Sequence, residues 1–192
     1  MFSSLDRNAS EFAKAADAFG SAFATPVDLN RPFSRSLPAR TMLYPLDYTK
    51  LTERQFAALA QAADVAGDVA GYVGEIEDGQ LRTDPLSLVT LDDFAAYSAN
   101  EPIIEHVLFS PAGRWGVLTT EEEVAFVAGS EAFIAVLERD LTEPVDERVE
   151  AFLRDQRSLA SAGSDVAWVP TVLEHVFGSA FPGRFAGGAD SG

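Results

Sequence analysis

The chain has 192 residues, a formal net charge of −16 and no cysteine. The missing cysteine excludes disulfides, thiolate metal sites and cysteine nucleophiles, and the charge sets a field that repels nucleic acid and anionic membranes. With 47% hydrophobic residues and 14 Phe, one packed domain is expected and wholesale disorder is not.

The N-terminal stretch MFSSLDRNASEFAKAADAFGSAFATP carries Glu11, Lys14 and Asp17 among its apolar residues, which argues against a signal peptide. No run approaches the eighteen or so consecutive apolar residues that a membrane span requires. A cytoplasmic protein is expected, and the 12 Arg against 2 Lys with abundant Ala point to a GC-rich bacterial genome. Asn8-Ala9-Ser10 fits a glycosylation sequon and, without a secretion signal, is read as chance.

Residues 1–25 read as an amphipathic helix, with Phe12, Ala16, Phe19 and Phe23 recurring at helical spacing. Its rings need a surface to cover. Their own domain is the simpler cover; docking on another subunit, as a structural or assembly component, is the alternative. Residues 26–46 contain Pro26, Pro32, Pro38 and Pro45 and read as a loop or extended arm. The arm carries Arg31, Arg35 and Arg40, opposite in sign to the rest, and these are expected to lie across the protein's own acidic surface rather than on nucleic acid.

Residues 47–182 are expected to form the α+β domain itself. Thr52-Glu53-Arg54-Gln55 is a capping box that opens a helix with Phe56, Leu59, Ala60 and Ala63 on one stripe, ending near Gly67. Ala70–Glu77 reads as a strand, and Asp78-Gly79 as a tight turn into a partner strand at Leu81–Thr83. Thr90 is placed as the cap of a short helix, with Asp92 and Asp93 favoured by its positive end.

A three-stranded meander is expected over about 103–128: Ile103–Phe109, the turn Ser110-Pro111-Ala112-Gly113, Trp115–Thr119, an acidic bend at Glu121-Glu122-Glu123, and Val124–Ala128. Ser130 then caps a helix with Phe133, Ile134, Leu137 and Leu141 inward. Further helices are expected from about Pro144, with Val145, Val149, Phe152 and Leu153 inward, and near Pro170–Phe177. Residues 183–192 are Gly-rich and read as a flexible tail.

Two histidines, His106 and His175, each follow a glutamate. Neighbours on a strand point to opposite faces and neighbours on a helix sit about 100° apart, so neither Glu–His pair is a local catalytic dyad. An enzyme or metal protein built on His106 and His175 with nearby carboxylates requires tertiary convergence. Asp92-Asp93 and Glu121–Glu123 resemble paired carboxylates, but a helix start and a solvated bend account for them. No phosphate-binding loop or nucleophile elbow occurs. No catalytic residue, cofactor or metal is therefore assigned. Trp115 is either a core plug or an exposed anchor, tryptophan being enriched in binding hot spots.

The run Phe109-Ser110-Pro111-Ala112-Gly113-Arg114-Trp115-Gly116-Val117-Leu118, followed by Val124–Ser130 and Phe133-Ile134, resembles a pattern of small bacterial immunity-type proteins. In these a Ser-Pro-x-Gly-Lys/Arg-Trp-Gly hairpin leads through a short strand and a Gly-small break to a Phe-bearing helix. The resemblance covers residues 103–141 and implies a non-enzymatic, acidic antidote that masks the surface of a toxin.

The expected fold is thus a single α+β domain, a small and mainly antiparallel sheet packed by several helices. The expected function is a non-enzymatic acidic binding protein that engages a basic protein partner, a toxin domain being one form of it. Its expected contact residues are Asp92, Asp93, Trp115, Glu121, Glu122 and Glu123.

Overall fold

Every residue of the segments His106–Phe109, Gly116–Thr119 and Ala125–Gly129 is buried, a pattern that requires cover on both faces of a sheet. The computed structural model, which describes residues 9–99 and 105–178, supplies that cover. In chain order its elements are α1 (Ala9–Ala22), β1 (Ala39–Leu43), α2 (Glu53–Val65), β2 (Ala70–Glu77), β3 (Gln80–Thr90), α3 (Phe94–Ala99), β4 (His106–Phe109), β5 (Gly116–Thr119), β6 (Ala125–Gly129), α4 (Glu131–Asp140), α5 (Val145–Ser161) and α6 (Val169–Phe177). The strands form a six-stranded sheet in the order β1-β6-β5-β4-β2-β3, with every neighbouring pair antiparallel. The expected meander is present as β4-β5-β6, and the molecule is a single α+β domain. Ile103 and Ile104, expected to begin the meander, lie outside the described residues, as does the expected tail at 183–192.

Side chains alternate across the sheet into two cores. Met42, Tyr72, Phe109, Leu118 and Phe126 face a layer of α1, α5 and α6. Leu43, Val73, Leu108, Val117 and Val127 face α2, α3 and α4 on the other side. The N-terminal helix covers its own domain: Phe19 and Phe23 are buried, and with Phe33 and Phe109 they form a ring cluster with centroid separations of 4.9 to 6.0 Å. Fully burying each ring contributes about 2 kcal/mol, and each edge or stacked pair about 1 kcal/mol more.

The stretch expected as an arm contains a strand. Pro38 and Pro45 delimit β1 rather than forbid it, and the intervening ARTML pairs with β6 from Ala39↔Gly129 to Leu43↔Ala125. The core therefore begins well before residue 47, since Phe33, Leu37 and Met42 are all in it. Strand β3 is likewise longer than the expected Leu81–Thr83, reaching Thr90 past a register shift between Gly74 and Ile76. Asp78 and Gly79 both have positive φ (51° and 73°), as the tight hairpin turn requires. The capping box at Thr52–Gln55 and the Ser130 cap are present as expected.

The hairpin turn after β4 is shaped by what it touches. Gly113 has φ +66°, and a Cβ there would come 2.8 Å from the Ala18 carbonyl oxygen of α1. A Cβ on Gly116 would come 2.7 Å from the Phe23 ring. Both glycines of the Ser-Pro-x-Gly-Arg-Trp-Gly run thus let α1 lie close against the hairpin.

As an edge strand β1 presents free backbone groups, and Arg148 of α5 occupies one of them. This guanidinium is 3% exposed. Its Nε donates to the Met42 carbonyl at 2.9 Å, its Nη1 to the Glu143 carbonyl, and its Nη2 to Glu138 Oε1 at 2.6 Å. Thr41 Oγ1 also donates to Glu138. One side chain therefore ties the sheet edge to α4 and α5 and blunts an edge open to foreign strands. Arg148→Ala is expected to lower unfolding free energy by about 3 kcal/mol and to promote self-association. Denaturant titration and sedimentation check this; a change under about 0.5 kcal/mol would show the clamp to be passive.

Candidate functional site

Asp68, in the loop between α2 and β2, is buried and accepts three hydrogen bonds. They come from Ser110 Oγ at 2.7 Å, Trp115 Nε1 at 2.9 Å and Arg114 Nη2 at 2.8 Å. All three donors belong to the hairpin run that carries the immunity-type resemblance. Trp115 is 0% exposed and stacks on Phe133 at 5.8 Å. The exposed-anchor reading of Trp115 is therefore corrected: its indole N–H needs a buried acceptor, and Asp68 provides one, so the ring is a core plug.

Asp92 and Asp93 are not brought to the acidic bend. Asp93, rather than Thr90, caps α3, its Oδ1 accepting from Ala96 N at 2.8 Å, because β3 keeps Thr90 paired with Ala70. Asp92 lines a separate cleft of about 430 Å³ beside Asp64 and Asp68, sharing no lining residue with the one below.

The Glu121–Glu123 bend is closed by Thr120, whose backbone N–H and hydroxyl both donate to the Val124 carbonyl at 3.0 and 3.1 Å. Glu123 is held at φ 58°, an unfavourable region for a residue with a Cβ. Its carbonyl accepts from Leu46 N at 2.8 Å, which anchors the bend beside the end of β1. The bend, Tyr44 and Asp155, Gln156, Ser158 and Leu159 of α5 enclose a cleft of about 460 Å³. Tyr44 Oη donates to Asp155, and burial together with that carboxylate pushes the phenol well above its ordinary value. Pairing of His106 with Thr119 brings Glu105 beside the bend. Burial, then Glu122 and Glu121, raise its carboxyl above the ordinary value.

Two acceptors in this region have no partner. Glu122 Oε2 and Gln156 Oε1 are buried without a hydrogen bond. Gln156 itself is 2% exposed and lines the cleft. It follows Phe152 by one helical turn on the inward stripe of α5. Among the described residues, none of Glu105, Glu121, Glu122, Glu123 and Asp155 has a cation within ion-pair distance. No group of three or more His, Asp or Glu among the described residues is arranged to hold a metal ion.

No family model, curated protein or solved structure matches the chain. The chemistry of the cleft therefore rests on its own geometry.

The histidines do not converge. His106 is buried on the α2/α3/α4 side, its Nδ1 2.8 Å from Thr119 Oγ1 and its Nε2 3.3 Å from Tyr97 Oη. Tyr97 Oη in turn accepts from Leu51 N at 3.0 Å. His175 lies on the opposite side of the sheet, its ring stacked on Phe33. Burial, then Arg40 and Arg31, lower His175 to about 4.

Sequence reasoning found Glu121–Glu123 but missed Gln156, Tyr44, Asp155 and Glu105. The signal for Gln156 was its place on a buried stripe, where an uncharged polar residue needs a partner. The raised carboxyl of Glu105 means that the fold binds its proton more readily than the unfolded chain does, so stability falls as pH rises through the folded value. Glu105→Gln is expected to be more stable than the parent at about pH 8, with the difference vanishing below about pH 3.5, where both states are protonated. Equal stabilities at the higher pH would remove the repulsion. Asp68→Ala is expected to cost about 3 kcal/mol by orphaning the indole and hydroxyl donors, and Asp68→Asn distinctly less. Thermal unfolding followed by tryptophan fluorescence distinguishes the two.

Proposed function

We propose that the chain is a non-enzymatic acidic binding protein whose cleft between the Glu121–Glu123 bend and α5 receives a lysine or arginine side chain of a basic protein partner. The observation that carries this reading is the pair of orphaned acceptors, Glu122 Oε2 and Gln156 Oε1, among carboxylates that have no ion-pair partner among the described residues. Acceptors alone call for a ligand that only donates. A guanidinium presents five N–H donors in a rigid fork, and an ammonium three, with no acceptor on either.

The whole-molecule field acts in the same direction. A net charge of −16 raises the encounter rate with a basic surface and disfavours acidic competitors. The resemblance at residues 103–141 supports a more specific form of the reading, an immunity protein that neutralises a bacterial toxin. Its hairpin residues Ser110, Arg114 and Trp115 are engaged with Asp68, so contact falls to the cleft and not to the hairpin.

The first probe is an arginine-rich peptide of about ten residues, followed by NMR. Saturable shifts of the Gln156 side-chain amide are expected, and are lost in Glu122→Lys. With a partner obtained by affinity capture, charge reversal at Glu121, Glu122 and Glu123 should slow association about ten-fold at low salt and flatten its salt dependence. A peptide that leaves Gln156 unmoved, or a triple reversal that associates as fast as the parent, would overturn the reading.

A further inference from the structure

The same helix-covered side of the sheet carries a second cleft of opposite sign. Arg31 and Arg35 from the 24–38 loop, Arg40 from β1 and His175 from α6 line a concavity of about 470 Å³, with Ser34 and Phe33 beside them. Three of the chain's 14 Lys and Arg therefore meet in one place, in a protein that carries 30 Asp and Glu. Among the described residues, no acidic side chain lines it. The sequence reading sets these arginines across the protein's own acidic surface, but no direct pairing of that kind is present: among the described residues, none of the three has a carboxylate within ion-pair distance.

The cleft is built rather than incidental. Arg40 Nη1 donates to the His175 backbone carbonyl at 2.9 Å, which fixes both the guanidinium and the end of α6. The His175 ring is held parallel to Phe33, with 14° between the planes. Arg40 Nε and His175 Nε2 are each buried without a partner. The half-buried guanidinium has lost solvation, which lowers its affinity for its own proton. Like charges gathered around unpartnered groups are unfavourable unless an anion completes them.

We propose that this cleft is a binding site for a phosphate group, carried by inorganic phosphate or by a small phosphate monoester. Three properties select that chemistry. Guanidinium groups match phosphate oxygens in a two-bond fork. A dianion offsets more of the three clustered positive charges than a single carboxylate does. The volume is that of a small-molecule site, and the surrounding negative field works more strongly against an extended polyanion such as nucleic acid than against a compact anion. Neutral His175, held near pH 7 by its lowered value of about 4, can offer Nε2–H as a donor, or take up a proton once the anion is present. The inference stands apart from the acidic cleft: the two share no lining residue.

Calorimetry of the full chain with inorganic phosphate, at constant ionic strength against chloride, tests the proposal. Saturable phosphate binding is expected, with none for chloride. Arg31 and Arg35 are exposed and make no side-chain hydrogen bond or ion pair to described residues, so Arg31→Gln/Arg35→Gln leaves the core intact. The double variant is expected to weaken phosphate binding at least about ten-fold. In parallel, the NMR titration of His175 should move upward from about 4 on adding phosphate, since a bound anion favours the charged ring. Phenyl phosphate separates the two sources: tighter binding assigns the site to an ester, equal or weaker binding to the free ion. Chloride-like heats with an unmoved His175 would overturn the proposal, and so would undiminished binding by the folded double variant.

Discussion

The constraint behind this structure is that the central strands of an antiparallel sheet are buried on both faces. Antiparallel sheets commonly leave one face to water and read as alternating polar and apolar positions. Here the central strands HVLF, GVLT and AFVAG have no solvent face at all. Polar residues are confined to places where a partner is built in, as with His106 between Thr119 and Tyr97. Everything else with chemistry to offer is pushed to the ends and edges of the strands. The acidic bend lies just before β6, and the arginine cleft opens at the start of β1.

The second consequence is that buried polar groups serve as fasteners. Asp68 gathers a serine, an arginine and a tryptophan of one hairpin. Arg148 gathers two carbonyls and a glutamate around the β1 edge. Each joins elements distant in sequence, and each leaves several donors or acceptors exposed to loss if it is removed. Against that background Thr49 Oγ1, Gln156 Oε1, Glu122 Oε2, Arg40 Nε and His175 Nε2 stand out as groups that the fold leaves incomplete. Four of these five belong to residues of the two clefts, Gln156 and Glu122 in the acidic one and Arg40 and His175 in the basic one.

Much of the fold was legible in the sequence because local signals decided it. The Thr52–Gln55 capping box, the Asp78-Gly79 turn and the Ser130 cap each satisfy their own backbone within a few residues. What stayed hidden depends on distant parts of the chain. Strand β1 lies between prolines and is a strand only because β6 pairs with it. The length of β3 follows from its pairing with β2 up to Ala70↔Thr90. The acidic bend was visible as three consecutive glutamates, whereas the cleft it faces is completed by residues of α5 and by Tyr44. Trp115 could be read as exposed or buried until the acceptor for its N–H, 47 residues earlier, was in place.

Strand β1 sets the distance between the two clefts. Arg40 stands near one end of it and Tyr44 just past the other, about 13 Å apart at strand rise. That spacing exceeds the screening length of about 8 Å at physiological salt, so each pole keeps its own sign. The surface beside this edge strand therefore carries a local electric dipole on top of the net negative charge. A partner with its own charge asymmetry feels a torque as well as an attraction, and arrives already rotated.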